Sequence, residues 1–211
     1  MFYYTVKNEG ISEYIAERSR FIGYVKPVEN EQEAIDYIKS IKSKHHDAKH
    51  NCFAYVIRGG AKRYSDDGEP SGTAGLPMLD ILQKQGIENT VVVVTRYFGG
   101  VLLGTGGLVR AYSSATKSAL ENAVVCKMVN ALRYTLNCSY GEYDKIVRFL
   151  KDNSCEVVSS EFLQQVQVDF RVKEEFSDGI CERIYDFTAG KISARYCSED
   201  YICDTSGEIK F

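Results

Sequence analysis

Residues 11–18 and 21–28 (Phe21-Ile-Gly-Tyr-Val-Lys-Pro-Val28) read as two strands with a short connection. Asn30 then sits where a helix cap is needed, with Glu33 at capping-box spacing. Ala34, Ile35, Ile38 and Ile41 fall on one helical face, and the pattern decays near Lys44. A strand follows at Cys52–Ile57, ended by Gly59-Gly60, and residues 62–71 read as a polar loop. A helix is predicted from Leu76 to Gln85, closed by Gly86. Thr90-Val-Val-Val-Val-Thr95 is β-branched throughout, as a buried central strand requires. Gly106 and Gly107 lead into a helix from about Leu108 to Asn122, with Ala111, Ala115, Ala119 and Leu120 facing inward.

The second half gives a complete motif. Strands at 131–138, 155–162, 165–172 and 192–203 and helices at 141–152 and 174–189 follow in the order β-α-β-β-α-β. That order is the split βαβ, or ferredoxin-like, arrangement. The expected fold class is therefore α+β, in two domains, 1–130 and 131–211. The boundary rests on the fresh start of this motif and on charge. Residues 1–130 hold 16 basic and 14 acidic side chains, and residues 131–211 hold 10 and 15.

Composition narrows the function classes. A net charge of −3 argues against a generic nucleic-acid coat, although a local basic patch on the first half remains open. No stretch approaches the ~20 apolar residues of a membrane span, and the first ten residues do not form a signal peptide. The expected location is the cytoplasm, with no membrane partner. Seven scattered cysteines, none in a CxxC pair, read as small buried hydrophobes in a reducing compartment.

Candidate chemistry concentrates in residues 64–112. Gly104-Thr-Gly-Gly-Leu-Val-Arg110 follows the valine strand and precedes a helix. Such a loop lets backbone N–H groups and the positive helix end meet an anion, with Arg110 as a further donor. Gly99, Gly100, Gly104, Gly106 and Gly107 serve equally well for tight turns and close packing. Asp66-Asp67-Gly-Glu69 suits ion pairs to Arg96 and Arg110, a divalent cation, or a partner's basic surface. His45, His46 and His50 lie near Cys52, but zinc wants four ligands, or three and a water, and no fourth is evident. A Cys52/His50 nucleophile pair is permitted by the strand spacing. Tyr64, Tyr97, Phe98 and Tyr112 alternate with Arg63, Arg96 and Arg110, a mixture that suits unpaired bases, a protein interface or a core. No nucleophile elbow and no Walker loop is present. No metal or cofactor is expected.

Three stretches, Ala48-Lys-His-Asn-Cys-Phe-Ala-Tyr55, Ser65-Asp-Asp-Gly-Glu-Pro-Ser-Gly-Thr-Ala-Gly75, and Val93-Val-Thr-Arg-Tyr-Phe-Gly-Gly100 through Leu103-Gly-Thr-Gly-Gly-Leu-Val-Arg-Ala-Tyr112, resemble the Impact/YigZ family. The resemblance implies a ribosomal protein S5 domain-2-like first domain. It implies a ferredoxin-like second domain similar to a late domain of elongation factor G. Eukaryotic relatives are implicated in controlling translation initiation under amino-acid stress, by binding a large activator of a kinase; bacteria lack that pathway, so this partner does not carry over. For bacterial members the resemblance implies nucleic-acid or ribosome binding. It also implies that His50, Asp66, Asp67, Glu69, Arg96 and Arg110 belong to one surface or site. The expectation is a non-enzymatic binding protein linked to translation, with RNA, the ribosome or a regulatory protein as partner. Arg96 and Arg110 would meet phosphate or carboxylate, and Tyr97 and Tyr112 would stack or pack. The alternative is an enzyme acting on a small phosphorylated or acyl substrate, with Asp67 or Glu69 as base.

Overall fold

The computed structural model describes residues 2–204. The elements run β1 (Phe2–Val6), β2 (Gly10–Ala16), β3 (Ser19–Pro27), α1 (Glu31–Lys44), β4 (His50–Val56), β5 (Lys62–Ser65), α2 (Gly75–Lys84), β6 (Thr90–Tyr97) and α3 (Gly104–Ala123). They continue as β7 (Val125–Cys138), α4 (Tyr140–Asp152), β8 (Cys155–Phe162), β9 (Val166–Lys173), a short 3₁₀ turn at Glu174–Phe176, α5 (Ile180–Phe187) and β10 (Arg195–Asp204). The fold is α+β. Its described part divides into two compact units, Tyr3–Lys127 and Met128–Asp204, the latter taking in Phe2. Residues 205–211, the end of the expected second domain, lie outside the described residues.

In the first unit the sheet order is β2-β3-β6-β4-β5. β6 is central, antiparallel to both β3 and β4, and each face of it is covered. Val92 and Val94 pack with α2 and α3, while Val91 and Val93 pack on the other face with Ala34, Ile38 and Ile41 of α1. This double burial explains the unbroken valine run, because a strand hidden on both faces has no polar side to show. Ala111, Ala115, Ala119 and Leu120 face the core as expected. They let α3 lie close: a Cβ on Gly10 would come within 2.3 Å of the Ala119 carbonyl oxygen. Asn30 caps α1, its Oδ1 accepting from the Glu33 N–H at 3.0 Å.

In the second unit β10, β7, β9 and β8 lie side by side in that order. β9 alternates strictly, sending Val166, Val168, Phe170 and Val172 into a core with Ile146 and Leu150 of α4 and Ile180 and Ile184 of α5. Ser139 and Glu142 close the start of α4, Glu142 accepting from the Ser139 N–H at 3.1 Å.

Several boundaries differ from the sequence pattern. Residues 62–65, read as loop, form the edge strand β5 against β4. β1 had no counterpart in the pattern. α3 begins at Gly104, four residues before the expected start, so Gly106 and Gly107 are helical. The helix expected at 174–189 is a 3₁₀ turn and a shorter α5, separated by Gly179 at φ +67°. β7 runs unbroken through 128–132. Cys52, Cys126, Cys138 and Cys155 are buried, but Cys181 and Cys203 are half-buried and Cys197 is exposed.

Candidate functional site

β4 and β6 are neighbours, with His50 opposite Arg96 in register. Both side chains therefore project to the face that α2 and α3 cover, and Cys52, two residues along β4, does the same. The loop between β5 and α2 brings Asp66, Asp67 and Glu69 over this face, and α3, packed on the same face, brings Tyr112 to it. A polar cluster is thereby built at one end of the hydrophobic layer.

Glu69 is its centre. One carboxylate oxygen, Oε1, accepts from Arg96 Nη1 at 2.7 Å and from the Tyr112 hydroxyl at 2.8 Å. Glu69 is 8% exposed, Arg96 5% and Tyr112 0%. The Arg96 guanidinium carbon lies 5.4 Å from the ring centroids of both Phe21 and Phe98, and Arg96 Nη2 reaches Ser19 Oγ at 3.5 Å. Burial, with the charge on Glu69 nearby, pushes the Tyr112 hydroxyl well above its ordinary value, so it stays a donor. The Cys52 thiol, also pushed up by burial, donates to the Asp66 carbonyl oxygen at 3.0 Å. A buried, protonated thiol is a poor nucleophile. The Cys52/His50 pair shares a face, as the spacing allows, but is not an activated pair.

The other acids are also bound internally. Asp66 accepts from three backbone N–H groups: Gly72 at 2.8 Å, Ala74 at 3.1 Å and Gly75 at 2.8 Å. Two of these belong to the start of α2, whose cap residue Ala74 has no side chain to offer. A carboxylate there also suits the helix dipole. Asp67, at φ +44°, accepts from the Asn51 N–H at 2.7 Å and pairs with Lys42 at 2.8 Å. His50 Nδ1 donates to the Asp67 carbonyl oxygen at 2.7 Å, which turns Nε2 toward Glu69 at 3.9 Å.

The residues singled out in the sequence are thus brought together only in part. Glu69 pairs with Arg96, but none of the three acids pairs with Arg110. That side chain is exposed and folds back on α3, Nε donating to the Gly106 carbonyl at 3.3 Å. Tyr97 follows Arg96 on the strand and so projects from the opposite face. Its hydroxyl donates to Asp47 at 2.9 Å and meets His45 Nδ1 at 2.9 Å. Tyr97 and Tyr112 therefore do not form one aromatic surface. Asp67 and Glu69, considered as bases, are both engaged with other groups of the protein.

The glycines divide by role. Gly99 packs against the β2–β3 turn, where a Cβ would lie 2.1 Å from the Arg18 carbonyl carbon, and its N–H donates to Ser19 Oγ at 3.2 Å. Gly100 and Gly104 take positive φ, +87° and +69°. Gly106 has neither constraint: a Cβ there would enter open space. A Cβ on Gly107 would lie 3.0 Å from the Leu103 Cβ.

Outside the cluster, the segment from Phe98 to Leu102 forms an outward rim. Phe98 is 41% exposed and Leu102 86%, and the exposed Lys49 holds its ammonium 5.4 Å from the centroid of the Phe98 ring. Arg18 is exposed on the turn that Gly99 touches. Arg18, Ser19 and Lys49 were not picked out by sequence reasoning. Ser19 and Arg18 gave no signal, since their role comes from a turn brought beside residue 99 by strand pairing. Lys49 stands within a motif stretch but looked like an ordinary surface lysine. Among the described residues no helix is long and apolar enough to cross a membrane.

Known proteins resemble both halves of the chain. Residues 17–120 match the model of the Impact N-terminal domain, and residues 136–191 match a domain of unknown function, DUF1949. The chain is 37% identical to IMPACT family member YvyE of Bacillus subtilis (strain 168), over 99% of this chain and 97% of that protein. It is 34% identical to IMPACT family member YigZ of Escherichia coli (strain K12), over 83% and 88%. A crystal structure of a hypothetical protein, 29% identical, superposes with a TM-score of 0.60 over 93% of this chain and 98% of that one.

Proposed function

The chain belongs to the IMPACT family, and from that premise we propose that it is a non-enzymatic, cytoplasmic binding protein linked to translation or its regulation. It engages RNA, a ribosomal surface or a regulatory protein through residues 96–112 and the turns beside them. In the same proposal the first 130 residues form an S5 domain-2-like domain and the remainder a ferredoxin-like domain. The order β7-α4-β8-β9-α5-β10, with strands arranged β10-β7-β9-β8, supports the second assignment.

One observation carries the functional proposal. The motif's acids and buried arginine are bonded to one another and to backbone, while the groups left outward around them are those that meet partners: an aromatic ring, an aliphatic tip and cations. Such a surface recognises a partner without needing a poised acid, base or nucleophile. The proposal is tested by sedimenting the protein with ribosomes and polysomes at low and moderate salt. Cosedimentation that weakens with salt is expected, because binding to phosphates releases counterions. Absence from the ribosomal and polysomal fractions at both salts would contradict RNA and the ribosome as partners and leave a regulatory protein.

A further inference from the structure

Two segments distant in sequence meet the loop that carries Phe98: the β2–β3 turn, whose Arg18 backbone packs against Gly99, and the residue before β4, Lys49, near the ring. The ring is half-exposed and braced from within by Arg96, whose charge is held by Glu69. Lys49, by contrast, is exposed and rests near the ring with no anion to hold it. Arg18 and Arg110 are exposed too, and none of these three cations forms an ion pair among the described residues. In residues 17–19, 48–49 and 98–110 they face a single acid, Glu17. α3 starts without a side-chain cap and without an acid in its first turn. The positive end of its dipole therefore adds to the same excess. In a chain of net charge −3, Lys49 at 5.4 Å from the ring centroid and Arg18 on the turn that Gly99 touches put unpaired cations beside a planar ring.

We propose that this surface is a single-stranded RNA site, in which Phe98 stacks an unpaired base and Lys49, Arg18 and Arg110 meet the flanking phosphates. The inference rests on the binding function proposed above and names the partner class at that surface. A ring among unpaired cations is complementary to a base between phosphates. An acidic peptide would satisfy the cations, but its carboxylates are repelled by the electron-rich face of the ring. Duplex RNA presents phosphates while keeping its bases stacked inside. Arg96 and Tyr112 act here as internal supports, and Gly106 leaves the first turn of α3 open to close approach.

The test is fluorescence polarisation of the full chain with a labelled oligouridylate of about twelve nucleotides, with an RNA duplex of equal length as competitor. Salt-dependent binding is expected, with the single strand preferred. Phe98→Ala should weaken it about 10-fold, within the range for removing one base–aromatic stack, and Phe98→Tyr should restore it. Lys49→Gln with Arg110→Gln should reduce the slope of log affinity against log salt by about 0.7 for each phosphate that is no longer neutralised. Circular dichroism and melting curves establish that each variant is folded. Wild-type protein that ignores the oligonucleotide at low salt overturns the inference, as does a folded Phe98→Ala variant that binds like wild type. If wild type still cosediments with ribosomes, only the RNA assignment falls; if it does neither, the ribosome reading of the wider function falls with it. Ribosome association lost in Leu102→Ser but kept in Phe98→Ala would assign the surface to a protein partner and also overturn the inference.

Discussion

At the scale of residues, Glu69 decides how the motif works. Its carboxylate is the counterion of a buried arginine and the acceptor for a buried tyrosine. Removing it leaves Arg96 charged without a partner in a low-dielectric site, a change that costs about 3–5 kcal/mol in comparable buried pairs. Glu69→Ala is expected to lower the urea midpoint by a corresponding amount, and a loss no larger than about 0.5 kcal/mol, the surface level, would show that the pair is not structural. His45 gives a second prediction. Its Nε2 lies 2.6 Å from the Tyr24 hydroxyl and its Nδ1 2.9 Å from Tyr97, and burial lowers its pKa from the ordinary 6.5. The unfolded chain therefore takes up this proton first. The His45 contribution is complete above about pH 6.5 and is lost as pH falls through that value toward the lower folded one. Unfolding curves at about pH 7.5 and pH 5 should show a smaller acid-induced loss in His45→Gln than in wild type. Much of the cluster was legible from the acids and arginines of residues 64–112, including a pair to Arg96. The strand period puts the adjacent Arg96 and Tyr97 on opposite faces; what spacing conceals is that β6 extends to Tyr97 and that Arg110 points back along its own helix.

At the scale of elements, the acidic loop is a cap made at a distance. Ala74 starts α2 without a capping side chain, and Asp66, eight residues earlier, supplies the missing acceptor. Asp66→Ala is expected to cost at least about 1–2 kcal/mol, the upper part of the range for a lost cap. Hydrogen exchange should accelerate at the amides of Gly72, Ala74 and Gly75; unchanged protection there would contradict the capping role. The same distance explains what the pattern of residues conceals. α1 was legible because Asn30 and Glu33 stand at its own start, and β6 because four valines need two buried faces. β5 was not, since Lys62-Arg63-Tyr64-Ser65 has no apolar alternation and is a strand only because the edge of β4 offers it hydrogen bonds. α3 starts early because Gly106 and Gly107, read as a loop, take helical backbone, while Gly104 at positive φ turns the chain into the helix.

At the scale of the whole molecule, the uneven charge in the sequence has a structural counterpart in the first unit. Acids of the motif are consumed inside, so the cations left at the rim face solvent with little opposition. The central claim is that the inward half of the motif maintains the fold and the outward half binds the partner. The most direct test is ribosome cosedimentation at low salt of wild type beside an Arg18→Gln, Lys49→Gln, Arg110→Gln triple variant, after their unfolding curves have been compared. These side chains are exposed and outside any ion pair among the described residues. The account predicts nearly unchanged stability and strongly reduced association. Association equal to wild type in the folded triple variant would contradict it.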